Sequence, residues 1–153
     1  MRQDAGWLVH CCWALIGACA LPAPLLAQQH GGSLSILQSW ARASPPGATV
    51  GGAFLTISNP GAQDTLLRIE SPVASSVEMH QTSMKDGLMQ MRQVETVPVP
   101  AHGRVQFDPG GLHVMLLGLK RPLVEGQHFP MTLVFQNAGS VKVDVIVKGL
   151  GAE

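Results

Sequence analysis

Cysteine is confined to the first 19 residues of this 153-residue chain, at Cys11, Cys12 and Cys19. The remainder therefore has no disulfide, and it lacks the thiolate that a blue-copper electron carrier needs. Charge is scarce as well: 13% of residues are charged, and ten Lys plus Arg balance ten Asp plus Glu. A formal net charge of zero leaves no basic face for nucleic acid, and no charge run marks a disordered tail. The apolar run Trp7–Ala20 has 14 residues, whereas a membrane-spanning helix needs about 20. No segment sustains a helical period, and there is neither an internal repeat nor a low-complexity tract.

What is present begins with a leader. Arg2 supplies a positive start, "WLVHCCWALIGACA" is the apolar stretch, Pro22 and Pro24 break it, and "LLA" ends on the small residue Ala27. This pattern predicts a secretory signal peptide over residues 1–27 and one exported domain over 28–153. His10 within the run and Asp4 beside Arg2 fit that pattern less well. "IGAC" (Ile16–Cys19) offers an alternative, a lipobox with lipid anchoring at Cys19; simple cleavage after Ala27 is the preferred expectation.

The domain reads as all-β. Nine short apolar or β-branched runs recur: "LSILQSW", "GAFLTIS", "TLLRIE", "SVEMHQT", "LMQMRQV", "RVQFD", "LHVMLLGL", "FPMTLVFQ" and "SVKVDVIVK". The last alternates Val141, Val143, Val145 and Val147 with Lys142, Asp144 and Lys148, the period of a half-buried strand. Turn signals separate the runs at "SNPGAQD", "KDG", "PAHG", "DPGG" and "NAGS". Nine strands at this spacing predict a single antiparallel sandwich or barrel.

Within it, His80, Met91, His113 and Met115 stand out, spaced His-x10-Met-x21-His-x-Met. Thioether sulfur suits Cu(I), and imidazole suits copper in either oxidation state. Asp86-Gly87 marks a tight hairpin between "SVEMHQT" and "LMQMRQV". With Lys85-Asp86 central, His80 lies directly opposite Met91; with Asp86-Gly87 central, the two are diagonal. Both registers put them on one face. His113 and Met115, two apart on another strand, also share a face. Bringing the two pairs together requires that strand to lie alongside the hairpin.

Taken singly, a strand methionine is core filler and a strand histidine is hydrogen-bonded at the surface; the combination is what points to a metal. Parity also places Met84 and Met89 with His80, either as an outer methionine surface or as cover for the hairpin tip. Met79 and Met131 are expected in the core, His102 and His128 in solvent, and Trp40 against the barrel end. If the mature chain starts at Gln28, its α-amine with His30 in third position makes a square-planar nitrogen site for Cu(II) or Ni(II). Cyclisation of Gln28 would abolish it.

The four spaced residues resemble the signature of the periplasmic copper chaperone PCu(A)C family without a gap. "SWARASPPGATVGGAFLTISNPG", "DGLMQMR", "PGGLHVMLLGLKRPLVEGQ" and "FPMTLVFQNAGSVKVDVIV" are similar to that family too, so the resemblance runs from about Leu34 to Val147. Ser39 departs from it, since an acidic residue often precedes the tryptophan there. The resemblance implies a cupredoxin-like Greek-key β-barrel, a monomer, holding one Cu(I) at an exposed site of His80, Met91, His113 and Met115. It also implies a periplasmic role, delivering copper to the CuA subunit of cytochrome c oxidase directly or through Sco-type proteins. Some relatives carry a His/Met-rich extension; after "KGLGAE" no such added Cu(II) capacity is expected.

Two other readings compete. One is a metal-free secreted β-sandwich interaction module in which the methionines pack. The other is a copper enzyme, disfavoured because no acid–base pair or cleft is legible and four protein ligands leave no vacant coordination position.

Overall fold

A computed structural model describes residues 33–152. The leader, its cleavage point, Cys19, Gln28 and His30 lie outside the described residues. Ten strands run β1 (Ser35–Arg42), β2 (Val50–Asn59), β3 (Asp64–Glu70), β4 (Ala74–Lys85) and β5 (Leu88–Val94). They continue as β6 (Val97–Val99), β7 (Gly103–Phe107), β8 (Leu112–Leu119), β9 (His128–Phe135) and β10 (Gly139–Lys148). No helix occurs among the described residues, as the missing 3.6-residue period predicts.

All ten strands belong to one hydrogen-bonded sheet of order β5-β4-β8-β2-β1-β10-β9-β3-β6, with β7 on the far half of β2. Neighbours are antiparallel except β1 and β10, which pair in parallel. β3 and β4 follow one another in the chain yet sit in opposite halves of the sheet order, a Greek-key crossover. The sheet curls round a core contributed by both halves, including Leu55, Val114 and Leu116 from one and Leu66, Met131 and Leu133 from the other. Each such fully buried aliphatic side chain contributes about 1.5–3 kcal/mol. On β10 the valines turn inward and Lys142, Asp144 and Lys148 outward, as their alternation predicts.

Two details differ from the expectation. The tenth strand, β6, is only Val97-Pro98-Val99; it lies at a sheet edge, where Pro98 removes no ladder bond that the sheet interior would need. Strands β2 and β4 extend past both predicted ends, β4 most of all, whereas β5 and β8 keep the predicted bounds. Trp40 and Phe54 are buried but stand apart from the main core cluster. Ala41 and Ala53 take the core side, so Trp40 and its register partner Phe54 lie on the outward face, ring centroids 4.5 Å apart. Lys148 Nζ sits 4.9 Å from the Trp40 ring.

Met79 and Met131 are in the core, and His102 and His128 are exposed. Three polar residues are buried among the described residues: Asn59, Asp64 and His113. Asn59 ties loops together through Ala62, Pro100 and Gly61. Asp64 accepts from the backbone N–H groups of Thr65, Asn137 and Ala138. The third, His113, faces outward on β8.

Candidate metal centre

The β4–β5 hairpin turns on Asp86-Gly87, both with positive φ (52° and 75°), as a two-residue hairpin of this type requires. Lys85 pairs with Leu88 and Thr82 with Met91, so of the two possible registers the diagonal one is adopted. On its other side β4 pairs with β8, and this sets His80 directly opposite His113 and Glu78 directly opposite Met115. His80 is thus the hub: one histidine straight across, Met115 diagonal on the same strand, and Met91 diagonal on the other side. All four share the outward face, because Met79 and Val114, their neighbours in sequence, point into the core.

The rings of His80 and His113 lie 6.1 Å apart between centroids, tilted by 42°. With a metal–nitrogen bond of about 2.0 Å and a ring radius of about 1.1 Å, two imidazoles on one ion have centroids up to roughly 6.2 Å apart. The observed separation matches that collinear limit; a tetrahedral angle on one ion needs the two centroids to close to about 5 Å, a small side-chain rotation. Met91 and Met115 stand at diagonal sheet positions, about 7–8 Å away along the backbone and within side-chain range. Opposite Met115 on β2 is Gly52, and the Phe54 ring lies over that glycine, 3.4 Å from where a Cβ would stand.

Hydrogen bonds fix which nitrogens are free. His113 Nδ1 lies 3.0 Å from the Gly111 carbonyl, which can only accept. Nδ1 therefore carries the proton and Nε2 the lone pair. His80 Nε2 lies 2.8 Å from Glu78 Oε2, so Nε2–H donates to the carboxylate and Nδ1 carries the lone pair. That Nδ1 is buried and has no hydrogen-bond partner. A buried acceptor left unmatched costs about 1–3 kcal/mol, and such an atom is what a metal ligand looks like before its ion binds. Glu78 was not singled out in the sequence, although its i−2 position on a strand already puts it on the face of His80.

Among the described residues, no group of three or more His, Cys, Asp or Glu is gathered to hold an ion. The two histidines instead share their sheet face with Met91 and Met115. Two thioethers and two neutral imidazoles form a soft set without formal charge, suited to Cu(I) and poor for Mg(II), Ca(II) or Mn(II). Exposure is graded across the site: His113 is buried, His80 and Met115 are half-buried, and Met91 on the edge strand β5 is 54% exposed.

Residues 34–147 match the family described as "Putative lipoprotein LpqE-like". A putative lipoprotein of Leifsonia xyli subsp. xyli (strain CTCB07) is 33% identical over 135 residues, covering 85% of this chain and 80% of its own. Among solved structures, the copper-bound PCuAC domain from PmoF2 is similar with a TM-score of 0.66 at 28% identity, covering 77% of this chain and 94% of that one. The Cu(I) form of DR1885 from Deinococcus radiodurans is similar with a TM-score of 0.59 at 31% identity, over 80% and 85% of the two chains.

Proposed function

The chain belongs to the LpqE-like family, of the PCu(A)C type, and from that premise we propose that it is an exported copper carrier. His80, Met91, His113 and Met115 hold one Cu(I), His80 through Nδ1 and His113 through Nε2. The observation that carries this reading is the buried, unpartnered Nδ1 of His80 amid a second imidazole and two thioethers. The copper and Cu(I) named for PmoF2 and DR1885 support the choice of ion.

The protein passes copper on and performs no chemistry on it. Cu(I) imposes little geometric demand, and four neutral donors hold it less firmly than thiolates would. Transfer proceeds by ligand exchange: an acceptor's sulfur or nitrogen binds while the exposed Met91 thioether leaves, with no change in oxidation state. The acceptor we propose is the CuA centre of cytochrome c oxidase, reached directly or through a Sco-type thiol protein.

The site of action is outside the cytoplasm. Secretion with cleavage after Ala27 is one route. The lipoprotein names of the family and of the Leifsonia relative favour a second, in which Cys19 is acylated and the domain is tethered to a membrane. Mass spectrometry of the mature protein separates them, since only the second leaves a lipid-modified Cys19 as the first residue. X-ray absorption on the Cu(I)-loaded protein tests the site, with two sulfur and two nitrogen scatterers expected. Competition with a Cu(I) chelator adds the controls His113→Ala and Met115→Ala. An affinity untouched by both would return the chain to the metal-free interaction module.

A further inference from the structure

The hairpin tip carries the three most exposed large apolar side chains among the described residues: Met84, Leu88 and Met89, at 67%, 67% and 72%. They shield nothing, so covering the turn does not account for them. Their arrangement is sorted by chemistry. Met84 pairs directly with Met89, and Thr82 with Met91, so all three methionines lie on the outward face with His80. Leu88 pairs with Lys85 and Arg92 with Gln81, which puts the leucine and both cations of the hairpin on the opposite face. A tip built only for apolar contact has no need to segregate thioether from isobutyl groups, or to turn its positive charges away from the sulfurs.

We propose that Met84 and Met89 form an outer Cu(I) station that receives the ion and passes it inward along the hairpin to Met91 and His80. Directly opposed strand positions have Cβ atoms about 4.5–5.5 Å apart, so both sulfurs reach one ion. Met91 lies two residues from Met89, about 7 Å along the strand. The step is a ligand exchange: a Cu(I)–sulfur bond to Met91 forms before the bond to Met84 breaks, and the ion stays cuprous throughout. Two or three thioethers bind more weakly than the inner set, which gives the movement its direction. The turn's fixed positive-φ conformation holds the two sulfur-bearing strands in register. This inference rests on the inner site proposed above.

The test uses the full chain with methyl-labelled methionine. One equivalent of Cu(I) is expected to perturb the inner residues, and a following equivalent of Ag(I), which is redox-inert, to shift the ε-methyl signals of Met84 and Met89. The double variant Met84→Leu/Met89→Leu keeps side-chain volume at exposed positions. It is expected to hold Cu(I) with affinity within about twofold of wild type but to take it up severalfold more slowly in stopped flow. Methyl signals of Met84 and Met89 that ignore Ag(I), or an unchanged uptake rate, would overturn the outer station. A first equivalent of Cu(I) that leaves His80 and His113 unperturbed would instead overturn the inner site.

Discussion

Replacing Glu78 by glutamine or alanine tests whether the 2.8 Å contact to His80 Nε2 sets the ligand atom. The carboxylate can only accept, so it holds the proton on Nε2 and the lone pair on Nδ1. Glutamine offers both an acceptor and a donor. When its amide N–H points at Nε2, the ring must move its proton to Nδ1, and the lone pair is withdrawn from the ion. When its carbonyl points there, the bond survives but loses its charge. Hydrogen bonds to charged groups contribute about 1.5–3 kcal/mol against about 0.5–1.5 for neutral ones, so the difference is about 1–1.5 kcal/mol, or roughly tenfold in Cu(I) affinity. Alanine removes the partner altogether and is expected near the upper end of the 10–100-fold range for lost outer partners of a ligating histidine.

Two measurements decide the matter. Competition with a colorimetric Cu(I) chelator gives the affinities. Nitrogen-15 NMR of the copper-free protein reads the tautomer, with His80 expected as Nε2–H in wild type and mixed in Glu78→Gln. Circular dichroism should show all three proteins folded, because Glu78 is only half-buried and lies outside the core. An alanine variant that binds Cu(I) within twofold of wild type would refute the reasoning. So would a wild-type His80 protonated at Nδ1.

The remaining predictions concern neighbouring physics. His80→Phe keeps a ring but removes both the unmatched Nδ1 and the bond to Glu78; these two effects oppose, so copper-free stability should change by no more than about 1–2 kcal/mol while Cu(I) affinity collapses, a divergence that thermal melts and chelator competition will show. Copper binding should weaken as pH falls, because protons compete for both imidazoles, yet some should persist at pH 5 since thioethers are not protonated there; complete loss counts against sulfur ligation. Peroxide conversion of Met91, the more exposed sulfur, to its sulfoxide should weaken Cu(I) binding, and methionine sulfoxide reductase should restore it. Burial pushes the Asp64 carboxyl up, but the N–H groups of Thr65, Asn137 and Ala138 outweigh it and hold its pKa below the ordinary value. Its contribution to stability is therefore complete above about pH 4 and is lost as pH falls through that lowered value. Asp64→Ala leaves those N–H groups without their acceptor and should cost about 1–3 kcal/mol or more at pH 7, and melts from pH 2 to 7 should show the wild-type advantage shrink in acid.

Much of the site was legible because strand parity is a local property. The alternation that sends Met79 inward sends His80 outward, and Asp86-Gly87 is enough to put Met91 on the same face in either register. The choice between registers was not legible, since both "KD" and "DG" make a two-residue turn; positive φ at Asp86 and Gly87 settles it. Glu78 was passed over because its carboxylate matters only through the tautomer of its neighbour, and a tautomer has no sequence signal. Val97–Val99 was missed because three residues with a central proline carry no period. The Trp40–Phe54 pair has no sequence signal because it depends on β1 lying beside β2, 14 residues apart in sequence at these two positions.

The pairing of β4 with β8 is the long-range fact on which the rest depends, and in the proposed site it would set the order in which an ion gains and loses ligands. His113 is 6% exposed, the His80 side chain 18%, and Met91 54%, along a line from the sheet interior to its edge. An incoming nucleophile meets Met91 first, where β5 has no further strand beside it. In the proposed site, losing Met91 would leave His80, His113 and Met115 to hold the ion, so three donors would remain during transfer. A site with the same four donors arranged in reverse, methionine buried and histidine at the edge, would release copper through a basic ligand and so tie transfer to pH. In the proposed site the ligand that would leave first is a thioether, which does not titrate. Binding strength should therefore depend on pH through His80 and His113, whereas the rate of transfer to a thiol acceptor, corrected for the acceptor's own ionisation, should vary much less between pH 6 and 8. A transfer rate that followed imidazole protonation would place the leaving ligand at a histidine and reverse that order.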